Sequence, residues 1–147
     1  VDLNLRPIDN SPHTHLGIRF VLHSGHPRDY DCLIQRLGVW SGFLPMWCGI
    51  ATSAQADRIV KAHFENTATF NAPFGVRSLS RMEKMYHVYA SSNPSDWQGP
   101  IWIIVNYLVF SGMLRYGYLE QAKEVVIKTV TLLGRDAAES GCFHEYY

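Results

Sequence analysis

Apolar and polar positions divide the chain into an irregular opening and a helical remainder. In the first part, Val1-Asp2-Leu3-Asn4-Leu5 and Gly17-Ile18-Arg19-Phe20-Val21-Leu22 alternate like extended segments, with a hairpin as one option. Residues 40–50 are apolar and aromatic around Pro45, which predicts a short buried helix opening near that proline. Thr52 with Gln55 three residues later has the spacing of a capping box. Ala56, Ile59, Val60 and His63/Phe64 then share one face, while Asp57, Arg58 and Lys61 share the other, as in an amphipathic helix. Residues 66–99 turn to Asn, Pro, Ser, Gly and aromatics, a long loop of the kind that often carries function. A second helix is predicted from Pro100 to Tyr116, with Gly117 as its stop. It is apolar on every face, so it must be surrounded by other structure. A third, over residues 119–133, has Ala122, Val125, Val126, Thr129/Val130 and Leu133 as its apolar stripe.

A wet-sided helix, a buried helix and another wet-sided helix form the alternation made by a toroid of helical hairpins, with inner helices wrapped by outer ones. A simple bundle would give every helix one wet face. The predicted class is therefore all-α, preceded over residues 1–39 by a less regular segment with β character. A full ring of twelve helices needs about 190 residues at typical helix and connection lengths. With 147 residues the chain is expected to supply only part of a ring.

Composition narrows the functional classes. Lys and Arg number 13 against 13 Asp and Glu, so no charge excess points to nucleic acid or an anionic membrane. The longest apolar run, residues 100–110, is broken by Asn106 and falls short of the ~20 residues needed to cross a bilayer. Cys32, Cys48 and Cys142 are an odd count without CxxC spacing, which predicts buried free thiols in a reducing, cytoplasmic setting. His13 and His15, with His23 and His26, invite a metal reading, but no acidic or thiol ligand is clustered at matching spacing. No metal or cofactor is expected. No phosphate loop, serine elbow or Cys/His nucleophile arrangement is visible.

Several ordered segments resemble one enzyme group. They are Trp40-Ser41-Gly42-Phe43-Leu44-Pro45-Met46-Trp47-Cys48-Gly49-Ile50-Ala51, Pro73-Phe74-Gly75-Val76-Arg77-Ser78-Leu79-Ser80 and Trp97-Gln98-Gly99-Pro100-Ile101-Trp102. Asn106-Tyr107-Leu108, Arg115-Tyr116-Gly117-Tyr118 and His144-Glu145-Tyr146-Tyr147 continue the order. Together, over residues 40–147, they resemble the inverting glycoside hydrolases of the processing α-glucosidase, trehalase and mannosylglycerate hydrolase group. The resemblance implies an (α/α)6 toroid with a sugar pocket at its mouth. It makes Glu145 the general base and Tyr147 the tyrosine of its E-x-Y run. It places Trp97, Gln98 and Trp102 at the sugar subsite, where several relatives have Arg in place of Gln98. Trp40, Phe43, His144 and Tyr147 are further candidate contacts, and Trp47 is assigned to packing.

The implied chemistry needs two carboxyl groups, one protonating the leaving oxygen and one deprotonating water, about 6.5–9.5 Å apart. A base must stay ionised, so Glu145 is expected to have His144, Tyr146 or Tyr147 as hydrogen-bond donors. Read alone, Glu145 would be a solvated surface carboxylate; the ordered segments favour the base. An indole suits a sugar because it covers the apolar C–H face of a pyranose. Read alone, Trp97 and Trp102 would be core residues. The acid is expected upstream of Val1. Asp9 in Asp9-Asn10-Ser11-Pro12 is a candidate, but its flanking residues depart from the group's pattern and an Asx turn explains it as well.

The expected substrate is a short α-linked glucoside or mannoside, hydrolysed with inversion, and the chain alone is expected to be inactive without the remainder of its catalytic domain. Two alternatives stand beside this reading. One is an amylo-α-1,6-glucosidase-like debranching enzyme; the other is a non-catalytic carbohydrate-binding toroid that has lost the acid.

Overall fold

A computed structural model describes residues 37–88 and 96–147. The alternating segments at residues 1–5 and 17–22, Asp9, Cys32 and the histidines at 13, 15, 23 and 26 lie outside those residues.

A 3-10 turn, Trp40–Phe43, runs into helix α1, Leu44–Cys48, with Pro45 in its first turn and Gly49 left-handed at its end. Helix α2, Ser53–Ile59, opens with the expected reciprocal cap: the Gln55 N–H donates to Thr52 Oγ1 at 3.3 Å and the Thr52 N–H to Gln55 Oε1 at 2.8 Å. The coil then widens into a π-helical turn, Val60–Phe64. Strands β1, Asn71–Ala72, and β2, Gly75–Val76, pair antiparallel, with Asn71 opposite Val76 and Ala72 opposite Gly75. Helices α3, Ile103–Arg115, and α4, Leu119–Ser140, complete the order.

Helix α3 is the centre of the unit and packs on both α1 and α4. Val105, Val109 and Met113, at i, i+4 and i+8, are buried with Phe43 and Met46 on one side and Ala122 and Val125 on the other. Ala56, Val60 and Phe64 of the α2 face join the same core. The expected apolar and polar faces of α2 are thus observed, except that His63 is exposed.

One buried polar side chain fixes the β hairpin to α3. Asn106 is 1% exposed, and its Oδ1 accepts from the Val76 N–H at 2.8 Å. Its Nδ2 donates to the Phe74 carbonyl at 3.3 Å and to Thr129 Oγ1 of α4 at 2.9 Å. Gly75 lies at φ 140°, and a Cβ there would overlap the Asn106 amide. Only glycine fits both that backbone and that contact. The Phe74-Gly75-Val76 and Asn106 segments are therefore two halves of one contact.

Arg77 makes a second polar knot. It is 8% exposed, and its Nη1 donates to the carbonyls of Thr67, Thr69 and Asn71 while its Nε donates to Tyr86 Oη at 3.3 Å. Residues 67–86 are thereby gathered around a buried cation held by three backbone carbonyls and one phenol.

Several expectations need correction. Helix α3 starts at Ile103 rather than Pro100, because Ile101 and Trp102 are extended and bridge to Arg77 and Tyr146. It is also not enclosed on every side: Ile104, Tyr107 and Leu114 are exposed among the described residues. Helix α4 continues to Ser140, well beyond Leu133, and ends at left-handed Gly141. Its apolar stripe stops near Gly134, but its backbone hydrogen bonding does not. The buried line of α4 is Ala122 and Val125, which join the α3 core, and Leu132, which packs with Ala72 and Ile101, whereas Val126 and Val130 face outwards. Finally, Cys48, Cys142 and Trp47 are exposed rather than packed inside. No helix among the described residues is long and apolar enough to cross a membrane.

Candidate active site

The extended residues before α3 organise the aromatic side chains. Ile101 exchanges both backbone hydrogen bonds with Tyr147, at 2.8 and 2.9 Å, and the Ile103 N–H donates to the Glu145 carbonyl at 3.3 Å. The C-terminal segment is therefore laid alongside residues 101–103 as a short antiparallel partner, with Trp102 opposite Tyr146. One N–H at the start of α3, left without an intrahelical partner by its position, is thus taken by the Glu145 carbonyl.

Four rings follow one another across this junction. Trp97 and Trp102 lie face to face, with centroids 3.8 Å apart and planes within 5°. Trp40 stacks on Trp97 at 5.6 Å and Tyr146 on Trp102 at 4.8 Å, each tilted by 27°. The close Trp97–Trp102 overlap leaves no room for a further ring in the same layer, so Trp40 and Tyr146 occupy the opposite faces. A column Trp40, Trp97, Trp102, Tyr146 results. Its geometry rests on backbone contacts: Trp102 Nε1 donates to the Asp96 carbonyl at 2.8 Å, and the Trp40 N–H to the Ser78 carbonyl at 3.0 Å. Gly99, at φ 148°, lets the chain pass under Tyr86, and its N–H donates to buried Ser78 Oγ at 3.0 Å. Gln98, half-buried, accepts the His87 N–H on its carbonyl at 2.6 Å.

The sequence candidates separate on this frame. Trp40, Trp97, Gln98, Trp102, Tyr146 and the Glu145 backbone are brought together. Phe43 is not a surface contact: it is 4% exposed and meets Phe70 edge-on, 5.2 Å between centroids, in the core. Trp97 and Trp102 do not offer open indole faces to a sugar, because each has a ring on both sides. Trp102 is in addition only 7% exposed.

Glu145 is exposed, and among the described residues its carboxylate has no hydrogen bond or ion pair. The donors expected to serve it serve another acid. His144 Nδ1 lies 2.8 Å from Asp136 Oδ2, and the Tyr147 hydroxyl donates to the same oxygen at 2.6 Å. Ser140 Oγ donates to Asp136 Oδ1 at 2.9 Å. The Tyr147 hydroxyl, helped by His144 and Ser140, holds the Asp136 carboxyl well below its usual range, at about 2. Nothing in the sequence pattern singled out Asp136, which sits past the apolar stripe that marked the helix.

The expected absence of a Cys/His arrangement is also revised. Cys142 Sγ lies 3.8 Å from His144 Nε2, whose other nitrogen faces Asp136, so a Cys–His–Asp chain does exist at the surface. A groove of about 450 Å³ lined by Pro45, Ile50, Ala51, Gln55, Arg58, Ile59 and His63 contains neither the aromatic column nor Glu145.

The family described as the mannosylglycerate hydrolase MGH1-like glycoside hydrolase domain matches residues 32–147. Mannosylglycerate hydrolases MGH1 and MGH2 of Selaginella moellendorffii are each 29% identical over 116 residues, 73% of this chain and 20% of theirs. A probable mannosyl-oligosaccharide glucosidase of Schizosaccharomyces pombe is 36% identical over 72 residues, 48% of this chain and 8% of that protein. Among solved structures, a GH63 mannosylglycerate hydrolase from Thermus thermophilus in complex with Tris has a TM-score of 0.62 at 22% identity, covering 76% of this chain and 24% of that one. The same hydrolase in complex with glucose has a TM-score of 0.60 at 24% identity, covering 76% and 25%. The chain thus spans about a fifth of the length of these plant relatives and a quarter of the solved structures. Its fold is all-α, a partial helical toroid of the kind those structures complete.

Proposed function

This chain belongs to the mannosylglycerate hydrolase MGH1-like glycoside hydrolase family, and from that membership we propose that it carries the base side of an inverting glycosidase, with Glu145 as the general base. The observation that carries this reading is the contrast within residues 144–147. Their backbone is pinned beside Trp102 by paired hydrogen bonds, while the Glu145 carboxylate is left without a protein partner among the described residues. A base in single displacement needs that combination. Its position must be fixed, and its oxygens must be available to a water that attacks the anomeric carbon from the face opposite the leaving group.

The sugar is a short α-linked mannoside or glucoside, mannosylglycerate-like or α-glucosidase-like. It meets the aromatic column at its half-buried ends, Trp40 and Tyr146, and along the edges of Trp97 and Trp102 rather than on their covered faces. Gln98 and the outer part of His144 supply polar contacts at the rim, whereas the Tyr147 hydroxyl, expected to meet the sugar, is engaged by Asp136 and the His144 N–H. The acid comes from the remainder of the toroid, which the 147 residues supply in part, so the isolated chain hydrolyses nothing.

The test is Glu145→Gln in the complete catalytic domain containing these residues. Turnover should fall by about 10²–10⁴-fold, the usual worth of a positioned base, while sugar binding persists. Unchanged turnover would remove Glu145 from the mechanism. Tyr146→Ala should instead raise KM, because it removes an end of the column and leaves the carboxylate in place.

A further inference from the structure

We propose that Asp136, at the end of α4, is a positioning residue for the Glu145 base, acting through His144 and Tyr147. The proposal rests on the reading of Glu145 as base and adds to it a residue that no sequence feature marked.

Glu145 is held from two sides. On one side, residues 101–103 bind the backbone of Glu145 and Tyr147. Backbone pairing of this kind fixes the strand but allows its preceding residues to swing. On the other side, Asp136 gathers the two side chains that flank the Glu145-Tyr146 pair: Tyr147 through its hydroxyl at 2.6 Å and His144 through Nδ1 at 2.8 Å, both on Oδ2. The loop closes on itself, since the His144 N–H donates to the Tyr147 hydroxyl at 2.9 Å. The acid that makes these bonds is well sheltered, with 12% of its side chain exposed, although His144 itself is 53% exposed. Its other oxygen is held by Ser140, whose Oγ also accepts the Cys142 N–H at 3.3 Å, so the whole turn after α4 is tied to one carboxylate. The chain is clamped immediately before and two residues after Glu145, while the Glu145 carboxylate has no hydrogen-bond partner among the described residues. A base whose Cα is clamped from two directions keeps its oxygens at one distance from the sugar. A displacement of about 1 Å costs on the order of 10²-fold in such a step.

Two measurements test this together. In the complete catalytic domain, Asp136→Asn should lower kcat by about 10- to 100-fold with KM within about twofold, and Tyr147→Phe should lower it by less. The double variant should be little worse than Asp136→Asn alone, because the two changes break one network. In the 147-residue chain, Asp136→Asn should speed amide exchange at His144 about tenfold or more, while the Tyr147 amide, bonded to Ile101, stays protected. A role in stability alone would not separate kcat from KM in this way. If Glu145→Gln abolishes turnover but Asp136→Asn and Tyr147→Phe keep full kcat, the positioning role is overturned and the base assignment survives. If Glu145→Gln turns over normally, the base assignment falls and the positioning role falls with it. Should Asp136→Asn fail to fold, Tyr147→Phe decides: full kcat overturns the proposal, and reduced kcat at unchanged KM supports it.

Discussion

The hairpin around Arg77 and Asn106 and the segment around Glu145 are built on opposite plans. In the hairpin, polar side chains are buried and their donors and acceptors are matched to backbone groups at fixed distances. In the C-terminal segment the backbone is matched, whereas the Glu145 carboxylate has no partner among the described residues. Both regions carry family-like residues, yet they differ in whether a carboxylate is left without a partner among the described residues. Most of the segments that identify the family are therefore frame. Asn106 and Gly75 identify a contact between a hairpin and a helix, and Arg77 a loop wound round a cation. The base proposed at Glu145 lies where the frame stops satisfying side chains.

This contrast predicts where stability, rather than chemistry, will be lost. Arg77→Met should be the most damaging change. It strands the buried Asn71 carbonyl, at about 1–3 kcal/mol, and removes the charge-assisted bonds to the Thr67 and Thr69 carbonyls, of which Thr69 keeps the Arg81 N–H, for roughly 3–5 kcal/mol in all. Urea unfolding measures it. A loss below about 1 kcal/mol would show that the loop re-forms around water. Asn106→Ala should cost about 2–3 kcal/mol by stranding the Val76 N–H. Gly75→Ala should be severe in the native chain, where its Cβ meets the Asn106 amide, and milder in the Asn106→Ala background. Additive effects in that cycle would mean the glycine is needed for its φ alone. In the complete domain none of these frame changes should mimic Glu145→Gln, which should lower turnover by about 10²–10⁴-fold at unchanged stability.

The same contrast explains what the sequence revealed. Periodicity found α2, its cap and the existence of α3 and α4, because local apolar spacing and capping are written in adjacent residues. It misplaced the start of α3, since Ile101 and Trp102 are claimed by Arg77 and Tyr146, partners far away along the chain. It also took the apolar face of α3 to be enclosed, although Ile104, Tyr107 and Leu114 are exposed. For the site, residue type was informative and orientation was not. Tryptophans suited to sugars were found, but their stacking on one another was not foreseeable from spacing. Phe43 had the right chemistry and the wrong depth. Asp136 was missed because a lone acid near a helix end has no pattern until His144 and Tyr147 fold back onto it.

The smallest expected effect is also the one that separates the two regions by chemistry rather than by size. The hairpin knot joins a guanidinium to backbone carbonyls, whereas the C-terminal clamp depends on a carboxylate that can be protonated. Asp136 is lowered from an ordinary 3.8 to about 2, chiefly by the Tyr147 hydroxyl and further by His144 and Ser140, against the opposing effect of its partial burial. Because the folded value lies below the unfolded one, its contribution is fully present above about pH 4 and is lost as pH falls through about 2. Side-chain resonances of His144 and Tyr147 should therefore report an intact clamp on acidification from neutrality to about pH 4, then release it towards pH 2. Resonances of Asn106 and Val76 should show no matching step. In Asp136→Asn the acid step at Tyr147 should vanish altogether. Release already complete by about pH 5 would assign the clamp to some other titrating group and deprive Asp136 of its place in the comparison.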